Sequence, residues 1–160
     1  MPAIISNFLL CLAFTLKYEG GFVNNPRDPG GATCCGITLV TLSHEFGRKA
    51  TISEVRALTP TSPIVHNIYQ KKFWNVIDGD ILPKAVALIA FDIAVNMGPA
   101  RVLPWLEASR NMKPVDRIKY LHNKRLTFWK QLKIWATFWK GWTRREHDCY
   151  TLAMQWAAQG

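Results

Sequence analysis

The sequence lacks the features of membrane, secreted or disordered proteins. Its most apolar segment, residues 2–16, is interrupted by Ser6, Asn7 and Thr15, so it falls short of the roughly 20 apolar residues of a membrane span. The segment has neither a positively charged start nor a small-residue cleavage site, as a secretory signal would. Only 19% of the 160 residues are charged and 49% are apolar, which excludes disorder. We expect residues 2–16 to form a buried first helix, with a membrane tether used during export as the alternative.

Cysteine is present, but without the spacing of a metal site or a disulfide framework. Cys34 and Cys35 are adjacent, and Cys11 and Cys149 stand alone. No Cys/His pairs occur at zinc spacing. We therefore expect four reduced thiols, consistent with synthesis in a reducing cytoplasm, and neither a metal nor another cofactor.

Acidic residues are scarce in the last third of the chain. Residues 101–160 contain twelve Lys/Arg and four Asp/Glu, whereas residues 1–100 contain eight and seven. The net charge of +9 therefore belongs to the C-terminal part and predicts a polyanionic partner, either nucleic acid, an anionic envelope or a carboxylated wall polymer. Several tryptophans lie among these basic residues, namely Trp105, Trp129, Trp135, Trp139 and Trp142. They indicate either a face that contacts membrane or lipopolysaccharide, or a solvated basic face around a Trp-rich core.

Helical patterns follow one another along the chain, and strand patterns are few. Thr38 and Gly47 are suited to cap a helix over Leu39–Phe46, and Gly98 ends an apolar helix over residues 85–97. Further helices are predicted at residues 100–110, 115–132 and 143–158. Only residues 22–23 and 37–38 could pair as strands. We expect one mainly α domain over residues 1–160, with six to eight helices and at most a small β-ribbon.

A loop rich in glycine and proline follows the first helix and is flanked by acidic residues. Gly20 breaks the helical pattern and leaves Glu19 at the helix end. The turns that follow bring Asp28 and Thr33 back toward Glu19. Glycosidic bond hydrolysis needs two carboxylates across a cleft, one protonated and one ionised. The alternative is that Asp28 and Thr33 only cap turns.

The central helix carries two polar residues one turn apart, Asp92 and Asn96. Polar groups on an apolar helix must find partners, because burying them unpaired costs about 1–3 kcal/mol each. They either brace the core or line the floor of the cleft.

Four blocks of sequence resemble a known family. They are Glu-Gly-Gly-Phe-Val-Asn at residues 19–24 with 28–33 and 36–38, then residues 68–74, 91–98 and 140–145. Their order and content resemble glycoside hydrolase family 108, a group of phage and bacterial N-acetylmuramidases. The resemblance implies a lysozyme-like α+β fold. Many relatives also carry an Asp-Gly…Gly-Pro…Thr motif for wall binding, which is not found between Glu107 and Tyr120.

The resemblance implies that Glu19 is the catalytic acid. Phage-type lysozymes more broadly place an aspartate nine residues after this glutamate and a threonine six residues further on. Asp28 lies nine residues after Glu19, and Thr33 lies five after Asp28. Asp28 is thus expected to position water or stabilise charge, and Thr33 to help hold the water. The expected substrate-binding residues are Tyr18, Phe22, Trp74, Asp92 and Asn96.

The implied activity is that of an endolysin, which hydrolyses the β-1,4 bond between N-acetylmuramic acid and N-acetylglucosamine in peptidoglycan. We expect a monomer that is made in the host cytoplasm and acts on the wall in the periplasm. The basic C-terminal helices are a further expected contact with the anionic envelope, and no nucleic acid partner is expected.

Three alternatives are open at this point. A lytic transglycosylase would use Glu19 alone and form an anhydro-sugar. A nucleic-acid-binding protein would use the basic, aromatic C-terminal part. A Cys/His peptidase would pair Cys34 or Cys35 with His44 or His66.

Overall fold

The computed structural model describes residues 5–160, so the predictions for residues 2–4 lie outside the described part. It comprises two compact units. One consists of residues 12–72, and the other consists of residues 73–160 together with the residues before 12. Across residues 5–160 there are eight α-helices and one two-stranded antiparallel ribbon. The mainly α, lysozyme-like fold class is therefore confirmed.

Helix α1 (Asn7–Leu16) is the expected first helix, but Ile5 and Ser6, which were predicted to belong to it, lie outside the helix and are exposed. Phe8, Cys11, Leu12 and Thr15 are all buried. Burial of these side chains accounts for the apolar run without a membrane. Within residues 5–160, no helix combines the length and the apolar character needed to cross a bilayer.

Three short helices in residues 12–72 begin at residues that favour a helix start. Helix α2 (Leu39–Phe46) starts at Thr38, whose hydroxyl accepts the Thr41 N–H, and stops at Gly47 with φ +64°. Helix α3 (Ile52–Arg56) has a reciprocal capping box between Thr51 and Glu54. Helix α4 (Pro63–Tyr69) starts with proline in its first turn, and a π-helical turn over Gln70–Trp74 follows it.

The β-ribbon differs from the prediction in its pairing. Strand β1 (Thr33–Cys34) pairs with β2 (Ile37–Thr38), and Val23 makes a single bridge to Thr33. The predicted strand segments 22–23 and 37–38 therefore do not pair with each other. Both instead lie beside residues 33–34, because the tight turn between β1 and β2 brings these neighbours together first.

Four longer helices make up most of the other unit. They are α5 (Lys84–Met97), α6 (Pro99–Ala108), α7 (Pro114–Lys130) and α8 (Trp135–Gln159). Ten consecutive residues of α5, from Ala85 to Ala94, are buried. A helix that is apolar on every side has to be surrounded by others, and α5 packs against α6, α7 and α8.

The prediction for the last helix was wrong at its start. Residues 139–142 were expected to precede a helix beginning at Thr143, but α8 already begins at Trp135. The reason is an aromatic stripe at i, i+3, i+4 and i+7, formed by Trp135, Phe138, Trp139 and Trp142. Packing of this stripe outweighs the low helix propensity of Gly141.

Candidate active site

Glu19 follows directly on the last turn of α1. The N–H groups of Tyr18 and Glu19 still bond to the carbonyls of Thr15 and Leu16, at 3.0 and 3.4 Å. Gly20 then adopts a left-handed conformation with φ +55°, which ends the helical path as expected. The Glu19 side chain is half-buried, so the helix end holds a carboxyl group that is only partly open to water.

A two-residue turn between β1 and β2 forms a wall beside this carboxyl group. Cys35 and Gly36 both have positive φ, +51° and +71°, which is the pattern of a type I′ hairpin turn. A β-carbon at Gly36 would lie only 2.7 Å from Glu19 Oε2 and would overlap the Tyr69 hydroxyl oxygen even more closely. The Glu19 carboxyl group and the Tyr69 hydroxyl thus both lie against bare backbone.

Tyr69 holds the turn in place. Its hydroxyl donates a hydrogen bond of 2.8 Å to the Cys35 carbonyl, and its side chain is buried at the end of α4. A buried hydroxyl bonded to a turn carbonyl restricts the turn, because breaking the bond would leave a polar group unpaired. Tyr69 therefore anchors the backbone that lies against Glu19.

Asp28 lies on the exposed loop and caps a turn there. Its Oδ1 accepts the Gly30 N–H at 2.9 Å, and its carbonyl accepts the Gly31 N–H at 3.0 Å. The turn-capping alternative raised for Asp28 is thus part of its role. The second carboxylate oxygen, Oδ2, is not the one engaged in this turn, and the residue is exposed to solvent.

Thr33 is positioned by its backbone. As the first residue of β1 it exchanges two backbone hydrogen bonds with Val23, both 2.8 Å. Its half-buried hydroxyl donates to the Gly31 carbonyl over a long 3.5 Å. Thr33 therefore connects the glycine-rich loop to the hairpin whose turn contacts Glu19.

Two aromatic residues flank Glu19 in sequence, and both are half-buried. The Tyr18 ring packs against Phe14, with 5.3 Å between ring centroids. The Phe22 ring lies under the Arg56 guanidinium, with 4.4 Å between Cζ and the ring centroid. Each ring is thus held by a neighbour and also keeps surface exposed.

Trp74 belongs to the other unit and has no exposed surface. Its ring packs against Phe8 and Phe91, and its Nε1 donates to Asp80 Oδ1 at 3.0 Å. Gly79 lies against the face of the indole ring, where a β-carbon would overlap it. These contacts make Trp74 a core residue of its unit.

Asp92 is the centre of a buried ionic network. Burial opposes its ionisation, but Arg125 and Arg145 hold the pKa of this carboxyl below its ordinary value. The Arg125 Nη1 lies 2.7 Å from Oδ2, and the Arg145 Nη2 lies 2.8 Å from Oδ1. Arg125 Nη1 also lies 2.6 Å from Glu146 Oε2, at an angle outside hydrogen-bond geometry, and Glu146 Oε1 contacts His122 Nδ1 at 2.8 Å.

These contacts favour the bracing interpretation of Asp92, since both of its oxygens bind guanidinium groups. Asn96, one turn further along α5, is exposed. The two polar residues of this helix therefore differ in environment, although the sequence pattern treated them alike.

The comparisons with known proteins agree with one another. The family model for glycosyl hydrolase 108 matches residues 12–98. This chain belongs to the glycosyl hydrolase 108 family. It is a glycoside hydrolase, and the family implies N-acetylmuramidase activity on peptidoglycan.

A solved structure of SagA from Brucella abortus is similar to this family 108 chain over almost its whole length. The two are 35% identical, with a TM-score of 0.78, and the similarity covers 94% of this chain and 95% of SagA. A comparison with curated protein sequences finds no match. The expected family is therefore confirmed by sequence and by structure.

Sequence reasoning missed two residues of this family 108 site, Gly36 and Tyr69. Both lie in blocks that resembled the family, Gly-Ile-Thr at 36–38 and Ile-Tyr at 68–69. Their relation to Glu19 was not foreseen, because 34 residues separate Tyr69 from the carbonyl that it binds. A turn residue followed by glycine, Cys35-Gly36, was the available local signal.

Proposed function

We propose that this chain is a phage-type endolysin that hydrolyses the β-1,4 bond between N-acetylmuramic acid and N-acetylglucosamine, with Glu19 as general acid. The observation that carries the proposal is the placement of the Glu19 carboxyl group, half-buried against the backbone of Gly36. A general acid must reach the leaving oxygen of a sugar chain. The absence of a side chain at Gly36 leaves more room beside this carboxyl group than any other residue would.

Asp28 supplies the second carboxylate in this proposal. It lies on an exposed polar loop, where an ionised carboxylate is well solvated, and it positions the attacking water or stabilises the oxocarbenium-like transition state. Thr33 assists by holding the water. Tyr18, Phe22 and Asn96 keep exposed surface and contact the substrate.

We assign Trp74 and Asp92 positioning roles instead. A direct contact with sugar would require a side chain that is 0% exposed to become accessible. Trp74 packs the core of its unit, and Asp92 braces α5 against α7 and α8 through Arg125 and Arg145.

The setting of the activity follows from the proposed role. Residues 1–160 act as one catalytic domain and as a monomer, made in the bacterial cytoplasm and active on the wall in the periplasm during host lysis. The substrate is the glycan strand, and the basic C-terminal helices face the anionic envelope. Added to bacteria whose wall is accessible, the protein is expected to be antibacterial.

Digestion of purified peptidoglycan tests the proposal. Wild type should release reducing ends, and Glu19→Gln should abolish this release while the circular dichroism spectrum is retained. Glu107→Gln is the matched control, because the Glu107 side chain is 70% exposed and pairs only at the surface with Arg110. Full turnover in Glu19→Gln would refute the assignment.

Product analysis separates hydrolysis from the transglycosylase alternative. Hydrolysis adds a water, so its products are heavier by about 18 Da than the anhydro-sugars of intramolecular closure. Asp28→Ala should reduce activity less severely than Glu19→Gln. Anhydro products, or full activity in Asp28→Ala, would remove Asp28 and its water from the mechanism.

A further inference from the structure

The positive charge of the C-terminal part is concentrated in one stretch. From Arg117 to Arg145 the sequence has nine Lys/Arg and no Asp/Glu. Arg125 and Arg145 are buried against the carboxylates of the Asp92 network, and the other seven are partly or fully exposed. The surface formed by α7 and the start of α8 therefore attracts anions.

Large apolar side chains are exposed within the same stretch. We define the α7–α8 tip as residues 130–144, which include the end of α7, the connecting turn and the first turns of α8. In this tip Ile134 is 50% exposed, Phe138 50% and Trp139 44%. Three such residues within six positions form an apolar patch of the kind that marks an interaction site.

The lengths of the two helices explain the exposure. The aromatic stripe of α8 continues into the buried positions Arg145, Glu146 and Cys149. Trp142 is the eighth residue of α8, and Trp129 lies one residue before the end of α7. The two rings pack together with 5.2 Å between their centroids. The first two turns of α8 therefore carry part of the aromatic stripe at a point where only the last residues of α7 are present to cover it.

Lysines and an arginine surround the apolar patch. Lys130, Lys133, Lys140 and Arg144 are all exposed, and the Lys140 Nζ lies 5.7 Å from the centroid of the Trp139 ring. Tryptophan and phenylalanine beside flexible cations is the composition of helices that lie in the headgroup region of membranes.

The side chains favour a bilayer over a soluble polyanion. Nucleic acid binds aromatic residues through their open faces, but one face of Phe138 is stacked on Trp142, with an interplanar angle of 16°. Ile134 has no ring to stack. Both side chains gain by burial among acyl chains, while the cations gain from anionic headgroups.

We propose that the α7–α8 tip docks on the surface of an anionic phospholipid bilayer. Ile134, Phe138 and Trp139 enter the boundary between headgroups and acyl chains, and the surrounding cations bind lipid phosphates. Docking of this kind would hold the protein at a membrane face through residues 130–144.

Vesicle sedimentation tests the proposal with the full chain. Wild type should bind vesicles of phosphatidylglycerol and phosphatidylcholine in equal parts at least about tenfold more tightly than pure phosphatidylcholine vesicles. The double change Phe138→Ser with Trp139→Ser should weaken binding to the anionic vesicles by at least about tenfold. Equal binding to both vesicle types, or unchanged binding by this variant, would overturn the proposal.

Matched variants distinguish docking by the tip from vesicle binding through overall positive charge or through any exposed apolar side chain. Lys133→Gln with Lys140→Gln should lower vesicle affinity several-fold more than Lys119→Gln with Lys124→Gln, which removes the same charge from exposed positions outside the tip. Ile81→Ser, at a side chain 82% exposed outside the tip, should have no effect. Equal losses in both lysine pairs would contradict docking by the tip.

Three further readouts distinguish other occupants of the tip. Wild type and the Phe138→Ser, Trp139→Ser variant should digest purified peptidoglycan equally. If neither protein digests it, the proposed muramidase function fails, while the vesicle experiment still tests docking by the tip. If the variant instead lost affinity for duplex DNA, or lost a self-association seen by sedimentation velocity, with vesicle binding unchanged, the bilayer proposal would be wrong.

Discussion

The Glu19 carboxyl group and the Gly36 backbone are in such close contact that a β-carbon at position 36 would lie 2.7 Å from Glu19 Oε2. Position 36 therefore requires glycine for two reasons: the turn needs a positive φ, and the acid leaves no space for a side chain. The position of the candidate catalytic acid thus depends on a hairpin turn and on Tyr69, which binds that turn.

Gly36→Ala should lower muramidase activity by at least about tenfold, because the methyl group must displace the Tyr69 hydroxyl, which anchors the turn, and the Glu19 carboxyl group beside it. It should also destabilise the fold by about 1–2 kcal/mol, since alanine is strained at φ +71°. Turnover on purified peptidoglycan and thermal unfolding check both effects.

Gly47→Ala is the matched control for that change. Gly47 also has positive φ, +64°, but no described atom lies within 4 Å of a β-carbon built on it. The Gly47→Ala protein should lose only the stability that backbone strain accounts for, and it should keep full activity. Equal activity in the Gly36→Ala and Gly47→Ala proteins would contradict the role given to the Glu19–Gly36 contact.

Tyr69→Phe should reduce stability by about 1 kcal/mol, because the Cys35 carbonyl loses its 2.8 Å hydrogen bond. Activity should fall several-fold as the turn beside Glu19 becomes less restricted, with the change in kcat larger than the change in KM. Tyr150→Phe, in α8, serves as the comparison. A Tyr69→Phe protein with wild-type kcat and unfolding temperature would show that the phenol does not anchor the turn.

Asp92→Asn should destabilise the protein by about 3–5 kcal/mol at neutral pH, since it leaves the buried Arg125 and Arg145 without their shared carboxylate. The pKa of Asp92 is lowered in the folded state from its ordinary 3.8. Its contribution is therefore fully present above the unfolded value and is lost as pH falls through the lower folded value.

Acid titration of stability isolates that contribution. The pKa of Glu54 is also lowered, to about 2, by the Arg48 side chain and the Thr51 N–H, so it too changes stability in acid. The difference in the free energy of unfolding between wild type and Asp92→Asn does not contain the Glu54 contribution, because both proteins share it. It should shrink as pH falls below 4, and a difference that stays constant there would refute the pairing.

The thiols should resist modification in the folded protein. Burial raises the pKa of Cys35 to about 11, with the adjacent Cys34 thiol adding to the shift, and burial raises the pKa of Cys11 to about 12. All four cysteines are buried and free. At pH 8 a disulfide reagent should react slowly with the native protein. In denaturant it should react rapidly with all four thiols.

The same reaction tests the Cys/His peptidase alternative. Treatment of native protein with an alkylating agent should leave digestion of peptidoglycan unchanged. Rapid labelling of one thiol in the native state, accompanied by loss of activity, would show instead that a cysteine is part of the active site.

Much of the fold could be predicted because its signals are local. Thr38 and Gly47 delimit α2 as expected, Pro63 lies in the first turn of α4, and Gly98 ends α5. A cap or a breaker acts on backbone groups within about one helical turn. The start of α8 was missed for the opposite reason, because the packing of Trp142 on Trp129 supports the preceding turns.

The candidate site divides in the same way. Glu19 could be placed at a helix end from the Gly20-Gly21 break and the family resemblance. Tyr69 and Gly36 could not be assigned to it, since their relation depends on a hydrogen bond between residues 34 positions apart. The bracing role of Asp92 depends on Arg125 and Arg145, which lie 33 and 53 positions away.

Residue types and their spacing within a few turns were enough to predict the mainly α fold class, most helix ends, the family and the identity of the candidate acid. The folded chain was needed to show what lies beside that acid, which polar residues are buried in ion pairs, and which aromatic residues are exposed on the α7–α8 tip. Those features depend on the approach of segments that are distant in sequence, and no local pattern records that approach.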